Sequence, residues 1–264
     1  MINIVYLADE VKQYFKSTPN YFEQIMALEG QCFRHREGRK TQRIQLGQQN
    51  YFVKQYLGVG WKEIFKNIFQ LRLPVISALN EWRAIKKLRT LGINTATVVA
   101  CGQKGFNPAR LKSFLLMEEL NAISLEDLTK PWQNSPPAFV VKQAIIKKLA
   151  FIARTLHQNG INHRDFYICH FLLDLSHSLL NPEIYLLDLH RAQLRYNTPQ
   201  RWIIKDLAAL FFSSKNSGLT QRDLYRFMKI YQQASLKDVL GSQYGFWKKV
   251  KLRGERLYAT HTLK

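Results

Sequence analysis

One stretch decides the fold: Ile161-Asn162-His163-Arg164-Asp165-Phe166-Tyr167-Ile168-Cys169-His170-Phe171-Leu172-Leu173-Asp174. It follows a helical segment that ends at Gly160 and leads into an apolar strand that begins at Phe171. Asp165 lies in the polar loop between these rigid flanks, which give its carboxylate both reach and a fixed place. Asp165 is therefore our candidate for a catalytic carboxylate, and a structural turn aspartate is the alternative.

The triplet His163-Arg164-Asp165 resembles the catalytic loop of protein kinases, whose aspartate orients or deprotonates the hydroxyl that attacks a γ-phosphate. Protein kinases carry a metal-binding asparagine five residues later, where this chain has His170. This difference favours a small-molecule or glycolipid kinase. We consider His170 either a metal ligand or a hydrogen-bond partner of Asp165 or of a phosphate. A packed histidine with a backbone partner is the alternative.

Composition narrows the choice of partner and compartment. The chain carries 39 Lys and Arg against 19 Asp and Glu, a net charge of +20, which favours nucleic acid, anionic lipid or an acidic partner. A solvated basic surface without a partner is the alternative. The three cysteines form no C-x-x-C pair, so no disulfide framework or zinc site is expected. We find no secretory signal and no run of about 18 apolar residues, and therefore expect the protein to stay where it is made.

Strand patterns dominate the first half of the chain, and helical periodicity dominates the second. The first half has a hairpin around Gly38 and strand-like runs at 51–56, 98–100 and 113–117. Helical stripes occupy 61–69 and 78–91. We therefore predict an α+β, two-lobed, protein-kinase-like fold with a cleft between the lobes. The β-rich N-lobe, residues 1–118, would hold the nucleotide phosphates; the mainly helical C-lobe, residues 119–264, would carry the catalytic loop and the acceptor.

Lys54 and Glu81 form the first predicted functional pair. Lys54 shares a strand face with Phe52 and Tyr56, so it is either a surface lysine or one aimed into a cleft. Glu81 falls inside the apolar stripe of the second helix, where a carboxylate is costly unless it is paired. Pairing the two gives the strand-lysine and helix-glutamate arrangement of kinases. A glutamate at the rim with a solvated carboxylate is the alternative.

Asp188 and Asp206 complete the predicted carboxylates of the second half. Asp188 ends the apolar run 184–187, a position that suits Mg²⁺, which accepts one or two carboxylates together with substrate phosphates. The chain reads Asp188-Leu189-His190 where protein kinases read Asp-Phe-Gly, which argues against a switching activation segment. Asp206 is a charge within an apolar helix. By analogy with kinases, we expect it to brace the catalytic loop through backbone amides.

The remaining nucleotide contacts are signalled weakly. Gly38 stands alone, without a G-x-G-x-x-G motif, and Arg39 and Lys40 beside it would supply positive charge for the phosphates. Each of these is otherwise a solvated turn residue. The connector that includes Glu118 and Leu120 would read adenine through backbone amide and carbonyl groups.

Taken together, these segments resemble the lipopolysaccharide core heptose kinases, the WaaP (RfaP) family of Gram-negative bacteria. The resemblance covers about residues 28 to 215, and His170 and the missing Asp-Phe-Gly are normal for this family. The matching segments are Asn162 to Phe171, Glu37-Gly38-Arg39, Tyr51-Phe52-Val53-Lys54, Gly60 to Asn67, and Asn80 to Ile85.

The resemblance implies ATP- and Mg²⁺-dependent phosphorylation of the first heptose of the inner core, at its 4-hydroxyl. It implies that Asp165 is the catalytic base, that Lys54 binds the phosphates with Glu81 holding it, and that Asp188 binds the metal, with His170 as a second candidate ligand. It further implies a peripheral location at the cytoplasmic face of the inner membrane, a glycolipid substrate, and association with the small acidic acyl carrier protein. No nucleic-acid partner is expected.

The helix at 61–69 has three possible roles. Its apolar stripe, with Lys62 and Lys66 beside it, would lie on the bilayer or hold an acyl chain, or else pack on the first lobe.

Two alternative functions remain open at this point. One is a kinase for another inner-core sugar (Kdo) or for protein, and the other is a non-catalytic kinase-like scaffold. The complete set of Lys54, Glu81, Asp165 and Asp188 argues against the scaffold.

Overall fold

A computed structural model describes residues 2–16, 20–36, 38–69 and 74–262. The chain divides into two compact units, which we call the strand-rich unit (Met1–Lys86 and Ala96–Leu120) and the helical unit (Lys87–Thr95 and Asn121–Lys264). The predicted α+β class, with a strand-rich first part and a helical second part, is confirmed. The unit assignment places residues 119–120 with the first part and 87–95 with the second. The tasks given to the two predicted lobes stay predictions.

The strand-rich unit is built on one six-stranded antiparallel sheet with the order β1-β5-β6-β4-β3-β2. Its strands are β1 (Ile2–Leu7), β2 (Gln31–Arg36), β3 (Arg39–Leu46), β4 (Gln49–Tyr56), β5 (Val98–Lys104) and β6 (Lys112–Glu118). Its helices are α1 (Asp9–Lys12), α2 (Tyr21–Met26) and α3 (Gly60–Phe69), with the first turns of α4 (Leu79–Thr90).

The β2–β3 hairpin confirms the turn expected at Gly38. Arg36 of β2 pairs with Arg39 of β3 beside Gly38, which has φ +69°. A Cβ at this position would also lie 2.4 Å from the carbonyl oxygen of Gly58. Positive φ and this close approach together explain the glycine. Glu37, part of the family motif, lies outside the described residues.

Alternation along β4 explains where Lys54 lies. Tyr51 and Val53 are buried in a core cluster with Phe22 and Phe114. Lys54 points to the opposite face of the sheet, because side chains alternate along a strand. It sits in the interior of the sheet, opposite Leu115 of β6.

The helical unit combines long helices with short strand pairs. Its helices are α5 (Leu125–Thr129), α6 (Phe139–Gln158), α7 (Gln200–Ser213), α8 (Gln221–Gln232), α9 (Leu236–Leu240) and α10 (Tyr244–Thr262). Its strands are β7 (Ala122–Ser124), β8 (Ile161–Asn162), β9 (Phe171–Asp174), β10 (Ile184–Leu186) and β11 (Gln193–Leu194). β10-β9-β7 form one sheet and β11-β8 another. None of the described helices has both the length and the apolar character needed to cross a membrane.

Two predicted strands are shorter than the pattern indicated. The apolar patterns predict strands over 171–175 and 184–189, whereas β9 ends at Asp174 and β10 at Leu186. Asp188 then adopts φ +60°, and a short 3-10 turn follows. The left-handed conformation of Asp188 ends the extended backbone, so a prediction from apolar content overestimates the length of the strand here.

Candidate active site

Lys54 and Glu81 form a close ion pair within the strand-rich unit. The Lys54 Nζ lies 2.6 Å from Glu81 Oε1, and the two side chains are 18% and 2% exposed. β4 supplies the lysine and α4 the glutamate, as the strand and helix patterns predicted. Burial, reinforced by the negative charge of Glu81, raises the pKa of the neighbouring Cys101 thiol to about 12. The pair is present, and its role toward phosphates stays a prediction.

The other predicted nucleotide contacts occupy separate places in the same unit. Arg39 and Lys40 begin β3 directly after the Gly38 turn, and the Arg39 guanidinium lies 5.9 Å from the centre of the Tyr56 ring. The backbone amide of Glu118 donates to the carbonyl of Thr97 at 2.9 Å, so this amide is engaged inside the unit. The adenine contact predicted for Glu118 and Leu120 therefore cannot use the Glu118 amide in this conformation.

Asp165 lies in the helical unit with one carboxylate oxygen occupied. Arg191 Nη1 donates to Asp165 Oδ1 at 2.8 Å. In the described part of the chain, the other oxygen, Oδ2, makes no hydrogen bond to protein. A charge-assisted bond to arginine orients the carboxylate. Oδ2 thus remains able to accept a proton or a hydrogen bond from a hydroxyl.

Asp206 holds the backbone of the catalytic loop, as expected from the sequence. Its Oδ2 accepts from the amide of His163 at 2.6 Å, and its Oδ1 accepts from the amide of Arg164 at 2.9 Å. Arg164 has φ +74°, a conformation that costs a non-glycine residue about 1–3 kcal/mol. Two bonds from a buried carboxylate offset that cost, because hydrogen bonds to charged groups are the stronger kind. Asp206 therefore fixes the residue that precedes Asp165.

His170 connects the catalytic loop to Asp188. Its Nδ1 lies 2.7 Å from the carbonyl oxygen of Asp165, and a carbonyl only accepts, so Nδ1 carries the proton and donates. Its Nε2 faces Asp188 Oδ2 at 3.5 Å. With the ring proton on Nδ1, His170 Nε2 and Asp188 Oδ2 face each other as two acceptors, an arrangement that a shared cation would stabilise. His170 thus has a backbone partner, as in the packed alternative, and a second nitrogen directed at a carboxylate.

Asp188 is oriented by its own neighbours. His190 Nδ1 lies 2.5 Å from Asp188 Oδ1, and His163 Nε2 donates to the carbonyl of Leu187 at 2.9 Å. Burial lowers the pKa of His163, so this ring is neutral at pH 7 and acts as a brace. The first contact directs the Asp188 carboxylate, and the second fixes the backbone immediately before it.

Comparison with known proteins identifies this arrangement. Residues 23–231, most of the chain, match the model of the lipopolysaccharide kinase (Kdo/WaaP) family. The chain belongs to this family. Its members are kinases, so the chain is a kinase, and ATP use follows from that membership. The family resemblance stated from the sequence is confirmed.

Curated relatives and a solved structure agree with the assignment. A lipopolysaccharide core heptose(I) kinase WaaP of Escherichia coli is 46% identical over 89% of this chain and 90% of its own length. One from Pseudomonas aeruginosa is 42% identical over 90% of each. A solved structure of WaaP in complex with acyl carrier protein has a TM-score of 0.82 and 36% identity, covering 97% of this chain and 99% of that one. The kinase-like fold is confirmed.

Two residues of this family member escaped the sequence analysis. Arg191 contacts the candidate base and His190 contacts Asp188, yet both lie in a short turn without periodicity. The sequence marks them only by their position, because His190 follows Asp188 by two residues and Arg191 by three.

The donor set around Asp188 suits magnesium in part. Among the described residues, no group of three or more His, Cys, Asp or Glu side chains is arranged to hold a metal. Mg²⁺ rarely needs such a group, because it keeps waters and takes one or two carboxylates together with phosphate oxygens. Asp188 fits that requirement, and His170 is the weaker ligand, since Mg²⁺ prefers oxygen.

Proposed function

We propose that this chain is an ATP-dependent lipopolysaccharide core heptose(I) kinase that phosphorylates the first heptose of the inner core at O-4. Its curated relatives at 42–46% identity are heptose(I) kinases, which supports the acceptor. The observation that carries the proposal is Asp165, whose Oδ1 is held by Arg191 and whose Oδ2 is open to a hydroxyl.

In this proposal Asp165 is the catalytic base. Oδ2 accepts the proton of the attacking hydroxyl while Arg191 fixes the carboxylate, and Asp206 keeps the loop backbone in its left-handed turn. Phosphoryl transfer depends mainly on position and charge, so a fixed carboxylate suits it.

Lys54 would bind the nucleotide phosphates, with Glu81 holding its ammonium group in place. A lysine held by a buried carboxylate is pre-positioned, so less side-chain freedom is lost when phosphate binds. Arg39 and Lys40 would add charge from the hairpin.

Asp188, oriented by His190 and assisted by His170, would hold Mg²⁺. When bound, the cation neutralises charge on the phosphates.

Incubation with ATP, Mg²⁺ and unphosphorylated core glycolipid tests the proposal. We expect one added phosphate, which mass spectrometry would count and NMR would locate at O-4 of the first heptose. Phosphate on the neighbouring acidic sugar (Kdo) or only on protein would favour those kinases instead. ATP binding without transfer to any acceptor would favour a non-catalytic scaffold.

We also propose a peripheral location at the inner membrane, supported by α3. Of the predicted apolar stripe only Ile64 is buried, while Trp61, Phe65, Ile68 and Phe69 are 49%, 51%, 52% and 84% exposed. The interpretation that the stripe packs on the first lobe is therefore wrong for four of its five residues. Exposed aromatic residues beside Lys62 and Lys66 suit an anionic lipid surface.

Vesicle flotation tests the role of α3. Phe65→Asp with Phe69→Asp should abolish binding to phosphatidylglycerol vesicles, whereas Phe106→Asp, at an exposed phenylalanine elsewhere in the unit, should not. Equal flotation of both variants would exclude α3 as the contact.

Acyl carrier protein is the proposed protein partner, supported by the complex that the solved relative forms and by the charge of +20. The helical unit has an apolar cavity of about 170 Å³, lined in part by Trp132, Leu149, Leu224 and Met228, which suits the acyl chain of such a carrier.

Leu224→Trp would fill part of this cavity. We expect it to weaken binding of acylated carrier protein, measured by titration, without changing binding of the unacylated form. An equal effect on both forms would contradict a role for the cavity.

A further inference from the structure

Four positive side chains surround one tryptophan ring in the helical unit. Trp202 lies in the first turns of α7, and the charged groups of Arg164, Arg195, Arg201 and Lys205 lie 5.6, 5.6, 5.4 and 4.1 Å from its ring centre. We call these five residues the Trp202 cluster. Like charges around one ring repel one another, so the cluster needs either compensation from the protein or a ligand of opposite charge.

Three of the four cations of the cluster receive little compensation from the protein. Among the described residues, no ion pair involves Arg195, Arg201, Lys205 or the nearby Arg253. The carboxylate that acts on Arg195 and Lys205 is that of Asp206, and both of its oxygens already accept backbone amides. Arg195 donates to the side-chain oxygens of two amides, Asn162 and Gln193, which are neutral. Neutral acceptors and an aromatic face hold these cations in place without cancelling their charge.

Repulsion within the cluster contributes to the pKa of two of its members. Desolvation by burial, followed by the charge of Arg253, lowers the pKa of Lys205, and Arg164 and Arg201 add to the effect. Desolvation and then Arg201 lower the pKa of Arg195. A bound anion would reverse both effects, because an opposite charge favours the protonated form.

The cluster is accessible and partly desolvated at once. Arg201 and Arg253 are exposed, while Arg164, Arg195 and Lys205 are half-buried. Half-buried cations hold carboxylates and phosphates more strongly than fully solvated ones, since less water has to be displaced and the local dielectric is lower.

The cluster is joined to the catalytic loop through two of its members. Arg164 immediately precedes Asp165, and Arg195 donates to Asn162, the last residue of β8 before the loop. A ligand whose hydroxyl reaches Asp165 would therefore bring its neighbouring acidic groups toward these cations. A solvated basic face would not need an ordered aromatic centre or contacts to the loop.

We propose that the Trp202 cluster binds acidic groups, carboxylate or phosphate, of the acceptor and so positions the acceptor hydroxyl at Asp165. The inference rests on the proposed function, because it takes the acceptor to be an anionic glycolipid. It assigns acceptor recognition to α7 and the catalytic loop within the helical unit.

The test uses the full chain with Arg201→Gln and Lys205→Gln combined. The matched control, Arg222→Gln with Lys229→Gln, removes two charges from α8 in the same unit. Calorimetric titration without ATP would use the lipid-free, unphosphorylated core oligosaccharide. We expect the cluster variant to bind at least about tenfold more weakly and the control to bind like the wild type. Thermal unfolding verifies that each variant is folded.

Two further probes identify the acidic group. An oligosaccharide with its carboxyl groups reduced to alcohols should lose the difference between wild type and variant if carboxylates are the ligands. A phosphorylated core oligosaccharide in the same titration should show a larger difference between wild type and variant than the unphosphorylated one if phosphates are. Equal affinity of wild type and cluster variant, or no measurable binding to the wild type, overturns the proposal. Binding without phosphate transfer by the wild type would instead contradict the proposed function and leave the cluster assigned.

Discussion

The strand-rich and helical units hold their functional candidates in different ways. In the strand-rich unit, Lys54 and Glu81 form a single close pair on regular elements, and the alternation of β4 and the stripe of α4 direct both side chains. In the helical unit, Asp165 and Asp188 lie in irregular backbone. Asp165 follows Arg164, which has a positive φ, and Asp188 has a positive φ itself. There each carboxylate is directed by a separate partner, Arg191 or His190.

The two units differ in the backbone strain that their functional residues impose. A pair on a strand and a helix places no strain on the backbone, whereas the loop that carries Asp165 depends on Asp206 to keep Arg164 left-handed. We therefore expect substitutions in the strand-rich pair to act through charge. Substitutions around the loop should act through geometry.

The largest effect is expected for Asp165→Asn. The amide has nearly the same shape but cannot accept the hydroxyl proton, so kcat should fall by about a hundredfold or more while ATP affinity changes little. Steady-state kinetics and nucleotide titration measure the two quantities. Asp9→Asn, an exposed aspartate paired with Lys12, serves as the control. Undiminished transfer by Asp165→Asn would exclude it as the base.

Asp206→Ala should be the most destabilising change in the helical unit. It leaves the buried amide of His163 and the partly buried amide of Arg164 without an acceptor, at a cost of about 1–3 kcal/mol each. Urea unfolding measures the loss. Asp206→Asn retains one acceptor oxygen and should recover part of it. A neutral effect of the alanine variant would show that the loop does not depend on Asp206.

Lys54→Met should reduce stability and activity together. It leaves the Glu81 carboxylate buried without its partner, which costs about 3 kcal/mol. The double variant Lys54→Met with Glu81→Met should regain most of the stability and none of the activity, because the buried charge is gone and the phosphate contact is still missing. Recovery of activity in the double variant would contradict the role given to Lys54.

The smallest expected effect is a difference in reactivity among the cysteine thiols of the two units. Burial raises the pKa of Cys101 to about 12 and that of Cys169 to about 11, so both are almost entirely protonated at pH 8, and the thiolate is the reactive form. Alkylation followed by mass spectrometry should therefore label the exposed Cys32 first, Cys169 slowly and Cys101 only after unfolding. Rapid labelling of Cys101 would mean that the strand-rich core opens readily.

Local sequence patterns predicted mainly the residues that lie on regular helices and strands. Asp165 followed from a helix stop and a polar loop, Lys54 from strand alternation, and Glu81 and Asp206 from charges inside apolar helical stripes. The signals at Lys54, Glu81 and Asp206 work because a buried carboxylate or lysine on a regular element needs a partner, and the period of the element shows which way the side chain points. Strands of two or three residues, such as β8 and β11, gave no such period.

The sequence by itself determined the family, the two-part α+β organisation, and the carboxylates and lysine that carry the proposed chemistry. Only the tertiary structure decided that Arg191 contacts Asp165, that His190 directs Asp188, and that four cations converge on Trp202. The reason is physical. These contacts join residues through irregular backbone, where a left-handed φ at Arg164 or Asp188 reorients the chain and no period relates a residue's position to its direction.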